Sequence, residues 1–261
     1  MNAAVIAFVA AAVATSSSYG ESLLDAMHGR HPEIGAAQMV VTTGDEAPIT
    51  IDRRWNSRPK TAVKRILLDA NSNEIGTVIF QSRCPRLPNA GFLAAELSRR
   101  IYTLASLTEP DPFVTGATRA SAAQAMIEEA LRHDPSIITL AFHVTPPGRT
   151  INSIAASSFG RIGKLADVDD ERVMREGTTL REMTNGGNRL AIELPLLDMR
   201  GRTVGALSTS FRIDPKTDPD SIAKRAVALR DSFARKIPSL KALFRPATAS
   251  RQVRGLRDCP S

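Results

Sequence analysis

Leu190-Ala191-Ile192-Glu193-Leu194-Pro195-Leu196-Leu197-Asp198-Met199-Arg200-Gly201-Arg202-Thr203-Val204-Gly205-Ala206-Leu207 reads as two apolar strands closed by a tight turn. Asp and Gly in Asp198-x-x-Gly201-Arg202 tolerate the left-handed backbone that a short hairpin demands. The same pattern stands 129 residues earlier, where Ile66-Leu67-Leu68-Asp69, the tract Asn71-Ser72-Asn73 and Ile75-Gly76-Thr77-Val78 repeat it.

Working outward, two more matches flank this one. Leu24 to Ile34 parallels Glu128 to Ile137 at an offset of 103 (Ile34 to Ile137), each a helix end, a Pro-containing turn and a strand. The strands are expected at Gly35 to Thr43 and Ile138 to Thr145. Leu93, Leu97, Ile101 and Leu104 fall on one face of a helix, and Leu229, Phe233, Ile237 and Leu240 repeat that spacing at an offset of 136. Asp218 suits an N-cap for the second of these helices and Pro219 its first residue. Three patterns in one order at rising offsets predict two tandem modules, 21–108 and 116–244, joined near Glu109 to Gly116. The rise from 103 to 129 places 26 additional residues in the second module, around Gly163 to Gly187. Such an insertion is either functional or disordered, and Ile162, Val173 and Met174 among its charges point to an ordered flap.

Composition bounds the rest. The 261 residues are 43% hydrophobic and 23% charged, enough for a real core, and Gly and Pro, 16 each, exclude collagen-like and low-complexity classes. The net charge of +7 is uneven. From Arg245 onward Arg245, Arg251, Arg254 and Arg257 face only Asp258, so 245–261 reads as a basic flexible tail. What is left is ordinary for the body. With no helix-turn-helix, zinc-finger or RNP-like pattern, nucleic acid is not an expected partner.

Ala3 to Ala14 is an apolar run of 12, too short to cross a bilayer. With Ala12-Val13-Ala14 and the polar Thr15 to Ser18 it reads as a secretory signal lacking a basic start, residues 1–20 being signal and linker. The other reading is a buried N-terminal helix. Export predicts a periplasmic or secreted protein that is not transmembrane, in which Cys84 and Cys259 either pair or remain unrelated thiols.

The second module resembles the extracytoplasmic Cache, or PDC, sensor module, a PAS-like family. The resemblance rests on Ser153-Ile154-Ala155-Ala156-Ser157-Ser158, then Gly160-Arg161-Ile162-Gly163-Lys164, a helical stretch ending at Gly177, and the closing hairpin. It covers residues 120 to 213. The first module resembles a degenerate copy without the flap. Asp167 to Met174 replaces the family's aromatic-rich ligand helix with no Tyr or Trp, and each copy adds a C-terminal helix. The resemblance implies an α+β fold, with each PAS-like module an antiparallel sheet flanked by helices. It also implies a pocket for a small polar or charged molecule, lined by Ser157, Ser158, Arg161, Asp169, Asp170 and Arg172, with Glu193 and Asn185 as further candidates. Arg would hold a carboxylate and Asp an amine. His143, at a strand end, is either a ligand residue or a packed strand histidine. His28, His31 and His133 fall in turns, and Trp55 reads as a packing anchor.

There is no Gly-x-Ser-x-Gly, His-Glu-x-x-His, Walker or Gly-x-Gly-x-x-Gly motif, so no enzyme, cofactor or metal is expected. The expected function is that of a stand-alone sensor or solute-binding protein, acting through a membrane-receptor or signalling partner. Two alternatives stand beside it: a non-catalytic periplasmic interaction subunit with a vestigial pocket, and a periplasmic enzyme of unrecognised class.

Overall fold

The computed structural model describes residues 17–42, 47–55, 58–111 and 120–247. The first half runs α1 (Tyr19–Arg30), β1 (Ile34–Val41), β2 (Ile49–Arg54), β3 (Thr61–Leu68), β4 (Glu74–Ser82), α2 (Ala90–Ser98) and α3 (Leu104–Thr108). The second runs α4 (Ala122–His133), β5 (Ile137–Val144), β6 (Ser153–Ser157), α5 (Val168–Glu176), β7 (Leu180–Thr184), β8 (Arg189–Leu197), β9 (Thr203–Arg212), α6 (Pro219–Ala234) and α7 (Leu240–Leu243). The protein is thus α+β, with two antiparallel sheets flanked by helices. The strand orders are β2-β1-β4-β3 and β6-β5-β9-β8-β7. Each half closes its own apolar core, one around Leu24, Met39, Phe80 and Leu97, the other around Ile127, Phe142, Leu194 and Phe233.

The hydrogen bonds of the second half repeat those of the first. Ser18 caps α1 and Ser121 caps α4, 103 residues on. The Asp69 amide bonds Asn73 O at 2.9 Å, and the Asp198 amide bonds Arg202 O at 2.9 Å. Asp69 Oδ1 accepts the amides of Asn71 and Asn73; Asp198 Oδ1 accepts those of Arg200 and Arg202. The next residue after each Asp donates to the carbonyl that follows a helix, Ala70 to Ile101 at 2.7 Å and Met199 to Ile237 at 2.8 Å. Register shifts fall at Leu67/Leu68 and at Leu196/Leu197.

Those last bonds explain a correction. The expected helix through Leu93, Leu97, Ile101 and Leu104 ends at Ser98, because Ile101 turns to bind the β3–β4 hairpin. It stays fully buried, so the apolar spacing survives the break. α6 ends at Ala234 in the same way, with Ile237 buried beyond it. The expected insertion consists of α5 and an added strand, β7, beside β8. The first half is not bare between its outer strands either, since β2 pairs with β1. Folded structure also starts before residue 21. Ser17 O accepts the Asp111 amide, and Tyr19 is buried. At the other end Pro246 bridges to Ser121. Residues 1–16 and 248–261, which hold the expected signal and nearly all of the expected tail, lie outside the described residues. Cys84 is buried and disulfide-bonded; Cys259, expected either to pair with it or to stay an unrelated thiol, lies outside the described residues as well. Trp55 packs on the first core, stacks on His28 at 4.3 Å and donates to Asp25 Oδ1.

The halves join through partly buried polar contacts. Arg100 Nη1 donates to Glu128 Oε1 at 2.6 Å and Arg99 Nη2 to Leu131 O at 2.6 Å. Tyr19 Oη donates to Arg100 O at 2.8 Å, with Ser158 O at 3.3 Å. The two sheets differ in exposure. All eight residues of β5 are buried, as expected for a strand covered on both faces. In β1, Gln38 and Val40 are half-exposed.

A Cβ on Gly205 would lie 2.4 Å from His143 O, whereas one on Gly91 would meet nothing within 4 Å. Gly205→Ala is therefore expected to lower stability by roughly 2–4 kcal/mol. Gly91→Ala should be neutral or stabilising by about 0.5 kcal/mol. Urea denaturation of the two variants checks both.

Candidate functional site

The flap begins at a turn held both by its own bonds and by contacts to the first half. Gly160 and Arg161 both adopt left-handed backbone, with φ of 80° and 64°. A Cβ at Gly160 would lie 2.6 Å from the Tyr19 ring. The chain then lies along β6, with Gly163 and Lys164 exchanging backbone bonds with Ile154. Asp167 caps α5, accepting the amides of Asp169 and Asp170 at 3.0 and 3.1 Å. Asp170 Oδ2 reaches back to the Asp167 amide at 3.3 Å, completing a capping box. Gly177 ends the helix with φ 67°.

α5 lies across β8 and β9. Its inward face is Asp170, Val173 and Met174, at the i, i+3, i+4 spacing of one helix side; Asp170 and Val173 are buried and Met174 half-buried. The sheet surface below it is the face opposite the apolar core. Alternation places His143 of β5, Ser208 of β9 and Glu193 of β8 there, and Ser208 pairs directly with Glu193. His143 Nδ1 lies 2.6 Å from Asp170 Oδ2, at an angle that does not make a hydrogen bond. At the edge, Asn152 Nδ2 contacts Met174 Sδ at 2.9 Å.

This layer is unusual in its unmet polar capacity. His143 Nδ1, Asp170 Oδ1, Glu193 Oε2 and Asn152 Oδ1 are all buried without a hydrogen-bond partner. Native proteins leave few such atoms, and each costs about 1–3 kcal/mol. Burial pushes the Glu193 carboxyl up to about 7, with Asp170, then Asp167, Asp169 and Glu182 adding repulsion.

The expected site residues divide. His143, Asp170 and Glu193 come together beneath α5. Ser157 and Ser158 are buried but committed to the fold: Ser157 Oγ donates to Gly160 O, and Ser158 Oγ accepts the Leu140 amide at 3.0 Å. Arg161 turns toward the first half and donates to Glu109 Oε2 at 3.0 Å. Asp169 and Arg172 are exposed on the outer side of α5, where Arg172 pairs with Glu176. Asn185 is exposed at the β7–β8 turn. Asn152 was not among the candidates, and nothing in its local sequence marks it. Among the described residues no group of three or more His, Cys, Asp or Glu is placed to hold a metal ion. None of their helices is long and apolar enough to cross a membrane.

No family model matches the chain, and no curated protein matches it. Solved structures similar to it include the C-terminal domain of the E. coli transcriptional regulator KdgR, at 14% identity and TM-score 0.31, covering 49% of this chain and 99% of that one. Also similar are an IclR transcriptional regulator from Alicyclobacillus acidocaldarius (13%, TM-score 0.31, 48% and 71%) and the Agrobacterium tumefaciens repressor BlcR (15%, TM-score 0.30, 58% and 85%). Similarity at this level assigns neither a family nor a function.

The raised carboxyl of Glu193 has a consequence for stability. Its folded value near 7 exceeds the ordinary 4.5, so the folded state holds an extra proton between those pH values. Stability then falls as pH rises through that window, and the full penalty persists above 7. Glu193→Gln is expected to raise stability above pH 7 by about 1 kcal/mol after solvent screening, seen as a higher Tm, and to leave it unchanged below pH 4.5. Thermal melts across pH 4–9 test this.

Proposed function

We propose that this chain is a small-molecule-binding protein of the PAS-like Cache type. Its ligand is a small, donor-rich cation such as an amine, held between α5 and the outward face of the second sheet. The observation that carries the reading is the set of four buried polar atoms beneath α5 that make no hydrogen bond, on His143, Asp170, Glu193 and Asn152. Three are oxygens that accept only, and two of those belong to carboxyl groups. An ammonium group offers three donors and a positive charge, satisfying carboxylates that otherwise repel each other. Entry requires α5 to lift from the sheet, which makes the flap the moving part.

The repeated hairpins support reading the halves as two copies of one PAS-like module, the second of which holds the ligand. The first copy would be structural or would dock a signalling partner. Export belongs to the same proposal and rests on Ala3 to Ala14. The absence of any recognised catalytic motif in the sequence supports a binding role over an enzymatic one.

The test is a thermal-shift series with ethanolamine, putrescine and small amino acids against acetate and succinate, at pH 6 and pH 8. An amine is expected to raise Tm, by about 2.7 kcal/mol of stabilisation at one hundred times its Kd. The shift should be larger at pH 8, where Glu193 is ionised, and lost in Asp170→Asn. If no amine moves Tm at either pH, the site is vestigial and the interaction-subunit reading takes its place.

A further inference from the structure

A cavity of about 320 Å³ lies away from the flap, between the two halves. One wall is the β3–β4 turn of the first half, contributing Asn71 and Asn73. The other is the β7–β8 turn of the second, contributing Asn185 and Asn188, and the floor carries Arg212 between Ile138 and Ile213. Its size is that of a small-ligand pocket.

The walls are fixed. Asn71 and Asn73 donate their backbone amides to Asp69 Oδ1, and Asn188 N donates to Asn185 O at 3.2 Å while Asn188 O accepts the Ile213 amide at 3.0 Å. Arg212 Nη2 donates across the junction to Ala70 O at 3.1 Å. That bond orients the guanidinium and leaves other N–H groups of its planar fork for a ligand. Both walls turn on non-glycine residues with left-handed backbone, Ser72 (φ 71°) and Asn185 (φ 52°). The second half places Gly201 at the position of Ser72, so the first half keeps a strained residue where its copy relaxes.

We infer that this cleft is a binding site for a small hydroxylated carboxylate, such as a sugar acid. Arg212 is the one charged residue that lines it, so a carboxylate is favoured and an ammonium is not. The amide side chains of Asn71, Asn185 and Asn188 offer both donors and acceptors at close spacing, which matches hydroxyl groups, while Asn73 Nδ2 donates to Asp69 Oδ2 at 2.9 Å. No aromatic ring lines the cleft, so a planar ring finds no stacking surface. A ligand there touches both halves at once and ties their relative position to occupancy. This site is independent of the one beneath α5.

Isothermal titration of the full chain with D-glucuronate, D-glucose and D-glucosamine tests the inference, since the three share a ring and differ in charge. Glucuronate is expected to bind at one equivalent, glucose at least about tenfold more weakly, and glucosamine not at all. Arg212→Gln should weaken glucuronate by at least about tenfold. Asn188→Asp, which removes no contact at the junction, should do the same by placing a carboxylate on the wall. Asp170→Asn beneath α5 should change nothing. No heat with glucuronate at 10 mM, a preference for glucosamine, or binding that survives both cleft variants overturns the site.

Discussion

The carboxylate of Asp198 is buried inside its own turn. Arg202 bonds it through its side chain, the amides of Arg200 and Arg202 donate to it, and together they hold it below the usual carboxylate range. Gly201 supplies the left-handed backbone that lets those amides converge. This fixes the register of β8 against β9, and in a sheet a slip of one residue would turn every side chain to the opposite face. The placement of Glu193 under α5 and of Leu194 in the core follows from that register. Asp69 does the same for β3 and β4 without a glycine, leaving Ser72 to take the left-handed position.

Because the two halves share this device, each serves as a control for the other. Equivalent positions follow from the offsets of 103 and 129. Where the second half has His143, Ser208 and Glu193, the first has Val40, Ile79 and Lys64. The same backbone thus accepts apolar or basic residues at all three positions. Without a residue equivalent to Asp170 above it, the first sheet leaves these side chains half-exposed or exposed, and nothing forces a buried charge. The acidic layer therefore belongs to the second half alone, where the insertion brings Asp170 over the His143 and Glu193 of strands that both halves share.

Much of this fold was legible in the chain. The hairpins at Asp69 and Asp198 carry turn chemistry that depends only on near neighbours, so residue type suffices to read them. Ile101 and Ile237 were legible as buried but not as turn residues. Their spacing continues the helix, and only the distant amides of Ala70 and Met199 reveal the break. β2 escaped notice because Ile49-Thr50-Ile51-Asp52 is too short an alternation to stand out. At the site, His143 was readable from its strand, whereas Asp170 and Glu193 were named with the resemblance to the Cache module. What a polar side chain bonds to was not. Ser157, Ser158 and Arg161 are held by Gly160, Leu140 and Glu109, and no local pattern encodes contacts across 18 or 52 residues.

The energetic contrast within the buried layer bears on why it persists. Thr139 and Ser210, on the same outward face of the sheet, satisfy each other at 2.5 Å, so this face can hold polar groups without leaving them unmet. Glu193 Oε2 is left without a hydrogen bond, and Asp170, though close to His143, brings a charge that raises Glu193 further. Replacing such residues by the Val and Ile of the first half would remove unsatisfied atoms and repulsion together, and buried polar groups exchanged for apolar ones of similar shape are often neutral or stabilising. Stability alone therefore does not account for this set of residues. The proposed donor-rich ligand would supply what these residues lack, since each offers an acceptor or a ring nitrogen without a hydrogen bond.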